Sequence, residues 1–160
     1  MGKPMGNGHP VAAVATGFDI MAAFRTSFRY FNTFGGNPVS CAAAMAVLDE
    51  LHDEDLQARA HATGLHLRAG LRALAASHGM IGDLRGAGLA HGVELVRGPV
   101  SRTPDRALAD RVINRMRAEG ILLGANGISY NVLKIRPPMP FARPEADLFL
   151  QTLDHVLGSL

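Results

Sequence analysis

Met1-Gly2-Lys3-Pro4-Met5-Gly6-Asn7-Gly8-His9-Pro10 opens the chain and leads into the apolar run Val11-Ala12-Ala13-Val14. A lysine set between glycine and proline has two readings. It can be a solvated side chain in a flexible, Gly-rich tail. It can also be an amine prepared to attack an aldehyde, and such an amine must lose its proton near neutral pH although its ordinary pKa is about 10.4. Desolvation or a neighbouring positive centre lowers that value and makes the amine a usable nucleophile or base. Glycines beside it let the backbone come close to a bound group.

About thirty residues downstream stands Tyr30-Phe31-Asn32-Thr33-Phe34-Gly35-Gly36-Asn37-Pro38, followed by Val39-Ser40-Cys41-Ala42-Ala43-Ala44. Asn37 is a good N-cap and Pro38 suits the first helical position, so a helix should start there. Gly35 and Gly36 would expose backbone N–H groups at the positive end of that helix, a seat for a phosphate, and Thr33 would add a hydroxyl donor. The same residues would also serve as an ordinary capped helix after a Gly-Gly turn.

Taken in order, the two stretches resemble the cofactor-lysine segment and the Thr–aromatic–Gly-Gly-Asn-Pro segment of the class III pyridoxal-phosphate (PLP) aminotransferases. The resemblance implies that Lys3 is the catalytic residue, forming a Schiff base with the aldehyde of pyridoxal 5'-phosphate and moving the substrate Cα proton. It implies that Thr33 binds the cofactor phosphate of the neighbouring subunit, and hence a homodimer with shared active sites. The implied substrates are small amines and keto acids. The implied fold is α/β, the C-terminal portion of PLP-dependent transferase fold type I. Residues 1–60 would end the large domain, 61–78 would link as part of a long helix, and 79–160 would form the small domain. In the family the lysine lies well past the middle of a longer chain, so this one is expected to be a C-terminal piece beginning at an internal methionine. The acidic residue that pairs with the pyridine nitrogen and the aromatic residue stacked on the ring would lie upstream, so activity of the piece alone is not expected. A non-catalytic truncated fragment is the competing reading.

The third segment is Asn131-Val132-Leu133-Lys134-Ile135-Arg136-Pro137-Pro138. Many class III aminotransferases place an arginine three residues before the first proline, where it holds the substrate carboxylate. Lys134 stands at that spacing here, and Arg136 directly precedes Pro137. Arginine offers a planar fork matched to a carboxylate, whereas lysine is a compact point charge. The departure leans toward the phospho-lyase branch of the family, which eliminates phosphate from phosphoethanolamine-like amines. Side chains alternate along a strand, so Lys134 and Arg136 are expected on one side, where either could meet an anion.

Composition narrows the classes. A net charge of +2 without a Lys/Arg-rich block argues against nucleic acid. No apolar run is long enough to span a membrane, and a cytoplasmic protein is expected. The single cysteine, Cys41, excludes an internal disulfide and is expected to be a small buried hydrophobe. His61 and His66 are five residues apart, not the three- or four-residue step a helical metal pair needs. Gly86-Ala87-Gly88-Leu89-Ala90-His91-Gly92 is a near miss for a dinucleotide loop and reads better as a glycine-broken strand. His9 reads as structural.

Periodicity predicts helices from Asn37 to about Leu51, from about Leu56 to His78, from Thr103-Pro104 to Gly120, and from Arg143 onward. Ala60, Gly64, Leu67, Leu71, Leu74 and Ala75 should share one face of the second. Ile81–Val96 should form an extended hairpin, and Ile121–Leu123 and Val132–Ile135 strands about an Asn126-Gly127 turn.

Overall fold

Nine of the ten elements fall after Gly36 (positions 1 to 36 hold a single helix), and the burial they create sits almost wholly in the C-terminal two thirds. The computed structural model describes residues 1–2, 4–98 and 100–160. These form two compact units, Met1–Asp55 and Leu56–Leu160.

The first unit holds coil and two helices, α1 (Phe18–Ser27) and α2 (Pro38–Asp53). α2 starts where the Asn-Pro pair requires: Asn37 Oδ1 accepts from the Ser40 N–H at 2.9 Å, and Pro38 needs no donor. Its apolar residues were expected to face a core, yet Ala44 is its only buried residue and Val39, Met45 and Leu48 are exposed. A unit with one other helix offers little surface to pack against. For the same reason Cys41 is an exposed free thiol and not the buried hydrophobe expected.

The second unit places three helices on one face of an antiparallel sheet. α3 (Leu56–Ser77) is followed by β1 (Ile81–Ala87), β2 (Ala90–Arg97), the two-residue β3 (Thr103–Pro104), α4 (Arg106–Ala118), β4 (Gly124–Asn126), β5 (Val132–Ile135) and α5 (Arg143–Gly158). The order across the sheet is β1-β2-β5-β4, with β3 on the end of β2. Gly88, at φ +53, opens the two-residue turn between β1 and β2, a conformation glycine adopts without penalty. Val93, Leu95, Leu133 and Ile135 project from one sheet face into a core completed by Leu67 and Leu71 of α3, Val112 and Met116 of α4, and Leu153 and Leu157 of α5. Burial of these ten side chains, at about 1.5–3 kcal/mol each, is the main stabilising term of the unit.

One helix start and one strand differ from expectation. Thr103-Pro104 pairs with Val96 and Arg97 as a strand, and Asp105 is the cap of α4, its Oδ1 accepting from Leu108 N–H at 3.0 Å. Ile121–Leu123 is coil, and β4 begins at Gly124. α3, whose residues 61–78 were expected to link two domains, lies entirely in the second unit and packs on β1 and α5.

Candidate active site

Lys3 lies outside the described residues. The turns after it are described: Met5, Asn7 and His9 N–H groups donate to the carbonyls of Gly2, Pro4 and Gly6 at 2.8, 3.1 and 3.0 Å. They border a cavity of about 1010 Å³ in the first unit, whose polar rim includes His9, Asn32, Asn37 and Ser40 and whose apolar wall includes Ile20 and Phe24.

Gly35 and Gly36 line the same cavity. One expected donor is already engaged: Asn32 Oδ1 accepts from Phe34 N–H at 3.1 Å and from Gly35 N–H at 3.0 Å. An Asn side chain readily bridges its own turn in this way, and the sequence reading assigned Asn32 no part. Gly36 keeps its N–H, and Thr33 its hydroxyl, without a hydrogen bond among the described residues. Gly36 has φ +72, and a Cβ there would meet nothing within 4 Å. An exposed threonine hydroxyl, an open glycine N–H and the positive end of a 16-residue helix suit a phosphate.

In the second unit Lys134 is exposed on β5, between two buried neighbours, Leu133 and Ile135. It is in register with Gly92 on β2 and with Gly124 on β4. Both flanking positions therefore lack a side chain, which leaves a bare strip of sheet around the lysine. Lys134 has no ion-pair partner among the described residues. Arg136 was expected beside it. It falls just past the end of β5 and lines a recess of about 550 Å³ with His61, Gln57 and the β1–β2 turn, a recess Lys134 does not line. Among the described residues no cluster of His, Cys, Asp or Glu could hold a metal, and no helix is long and apolar enough to cross a membrane.

The sequence matches the aminotransferase class-III family over residues 1–157. The chain belongs to this family. It is 48% identical over 150 residues to an alanine–glyoxylate aminotransferase 2-like protein of Drosophila melanogaster, covering 92% of this chain and 30% of that one. It is 46% identical over 158 residues to ethanolamine-phosphate phospho-lyase homolog 1 of Caenorhabditis elegans, covering 98% of this chain and 34% of that one. Among solved structures, a phospholyase from Arthrobacter in complex with phosphoethanolamine superposes with a TM-score of 0.94 at 44% identity, covering 100% of this chain and 38% of that one. The chain thus spans about a third of the length of the curated relatives it matches. The family's cofactor is pyridoxal 5'-phosphate. The α/β architecture expected from the resemblance is the one these enzymes have.

Proposed function

We propose that the enzyme built from this chain is a PLP-dependent phospho-lyase that eliminates phosphate from phosphoethanolamine-like amines. The observation that carries the reading is the full-length superposition on the Arthrobacter phospholyase at a TM-score of 0.94, against 0.69–0.83 for solved transaminases. Bound pyridoxal phosphate would supply the electron sink that makes a Cα proton of the amine removable. Lys3 Nζ would hold the cofactor and then take that proton. Thr33 Oγ1 and Gly36 N–H would hold the cofactor phosphate, in the partner subunit's site if the enzyme is the homodimer its family implies.

Lys134 supports elimination in particular. A substrate phosphate monoester carries about −1.5 to −2 charge, spread over three oxygens. A compact ammonium on a bare strip of sheet answers such a group better than it answers a planar carboxylate. The Cα–H bond and the Cβ–O bond to phosphate both break in the elimination, and the enamine left behind takes up water. The products from phosphoethanolamine are inorganic phosphate, ammonia and acetaldehyde.

The 48% identity to the alanine–glyoxylate aminotransferase 2-like protein favours a second reading, transamination between an amino acid and a keto acid. One assay separates the two. The full-length enzyme encoded around this chain, given phosphoethanolamine, should release phosphate and ammonia in equal amounts with no keto acid present. Dependence on a keto acid, with pyruvate formed from alanine and no phosphate released, would establish the aminotransferase reading instead.

A further inference from the structure

Lys134 shares the sheet face turned away from the core with a second cation. Gly92 of β2 is in register with Arg85 on β1 and with Lys134 on β5, and residues opposite one another in a sheet stand on one face. Two carboxylates stand on that face as well. Glu94 lies two residues beyond Gly92 on β2, diagonal to Lys134 and within reach of a long side chain, and Asp83 of β1 is paired with Glu94. Lys134 nevertheless has no ion-pair partner among the described residues, and its stem lies over Gly124 on the β4 side. The carboxylates are engaged elsewhere. Arg85 Nη2 donates to Glu94 Oε2 at 2.7 Å, and Arg85 Nη1 lies 3.0 Å from Asp83 Oδ2. The remaining oxygens are taken too. Buried Asn131 donates through Nδ2 to Glu94 Oε1 at 3.5 Å and to Leu95 O at 2.8 Å, and Leu84 N–H donates to Asp83 Oδ1 at 2.8 Å.

We propose that Arg85 is a positioning residue: by holding Glu94 it keeps that carboxylate off Lys134 and leaves the ammonium free for the substrate phosphate. The inference rests on the reading of Lys134 given above. A carboxylate one diagonal step away competes with substrate for the same ammonium, and a lysine engaged for part of the time binds its substrate more weakly in proportion. Arginine suits the task because its fork donates in two directions, here to Glu94 and Asp83 at once.

Arg85→Met keeps much of the stem and removes the guanidinium, and Arg85 is exposed, so the core is left intact. In the full-length enzyme encoded around this chain, it should raise KM for phosphoethanolamine about two- to sixfold and leave kcat near the parent's. That is the competition expected of one exposed ion pair. Arg85→Met with Glu94→Gln should return KM to the parent's value, because a carboxamide carries no charge to pair with Lys134. A second readout needs no substrate. Reductive methylation of Lys134 Nζ, followed by peptide mass spectrometry, should slow by a similar factor in Arg85→Met and recover in the double variant. Unchanged methylation in Arg85→Met would overturn the proposal, as would a raised KM that Glu94→Gln does not restore. Slower methylation with an unchanged KM would overturn the positioning role. A parent enzyme that releases no phosphate from phosphoethanolamine would overturn the phospho-lyase reading, and the role of Arg85 with it.

Discussion

Lys134 reaches over Gly124: its Cε stands 4.0 Å from the point that a Cβ on that glycine would occupy. The space above Gly124 is therefore held by the lysine stem alone. Gly124→Val should leave the fold as stable or slightly more so, since glycine in a strand costs about 0.5–1 kcal/mol relative to a residue with a side chain. The branched side chain should crowd the ammonium and lower kcat/KM for phosphoethanolamine. Thermal melts and phosphate-release kinetics on the same protein separate the two effects. A fall in stability matching the fall in activity would contradict this assignment.

Removing the charge is the companion test. Lys134→Ala should cost about 10- to 100-fold in kcat/KM toward phosphoethanolamine, the range expected for losing one charge-assisted hydrogen bond of roughly 1.5–3 kcal/mol. Lys134→Arg should retain more phosphate release and improve use of α-amino-acid carboxylates. Unchanged kinetics in Lys134→Ala would remove it from the site.

Asp105 caps α4 and also meets Arg97, whose Nε lies 3.3 Å from Oδ2. The Leu108 N–H, and secondarily Arg97, hold its carboxyl below the usual carboxylate value, while burial opposes them. The folded pKa is lowered, so the contribution is full above the unfolded value near 3.8 and is lost as pH falls through the folded value. Asp105→Ala should cost about 1 kcal/mol at pH 7, with the difference from the parent shrinking in acid. Urea titrations at pH 7 and pH 3 check both parts.

His91 is 7% exposed on the core face of β2, and its Nε2 has no hydrogen-bond partner among the described residues. Burial pushes its pKa down and the Arg68 guanidinium adds to this, while the carbonyls of Gly88 and Gly64 pull it up. The net shift is downward, so above the ordinary value of about 6.5 the residue is neutral in both states and its ionisation does not affect stability. As pH falls below that value the unfolded chain binds the proton first, and stability drops. His91→Leu should remove this sensitivity between about pH 6.5 and 5. Melting temperatures across that range measure it, and parallel curves for parent and variant would contradict it.

Gly64 of α3 lies against the Gly88 carbonyl at the β1–β2 turn, so closely that a Cβ would collide with that backbone oxygen. Gly64→Ala should destabilise the second unit by about 1–3 kcal/mol despite alanine's better helix propensity. Chemical denaturation reads this directly, and a stabilised variant would show that the turn can move away.

These glycines mark where a sequence reading stops. Gly64 was legible as one step of an apolar helical face, but its contact with Gly88 depends on tertiary packing that no periodicity encodes. The Gly-Gly-Asn-Pro helix start, the hairpin before Val96 and the face of α3 were legible because caps, turns and spacing are local. α1 was not read: it has no side-chain cap and buries nothing, so no periodic or capping signal announced it. Lys134 was found by its distance from Pro137, yet the glycines beside it come from β2 and β4 and meet it only through strand register. Asn32 was overlooked beside Thr33 because its role, taking the Gly35 N–H, competes with the donor set that the phosphate reading required. Lys134 and Arg136 are both exposed on either side of buried Ile135, but only Lys134 lies within the strand, which ends at Ile135.

Lys3 is proposed to carry pyridoxal phosphate. Borohydride reduction of the PLP-treated full-length enzyme, followed by peptide mass spectrometry, tests it most directly. One pyridoxyl group is expected, on Lys3, with Lys134 unmodified. Modification of Lys134 alone, or of neither lysine, would contradict it.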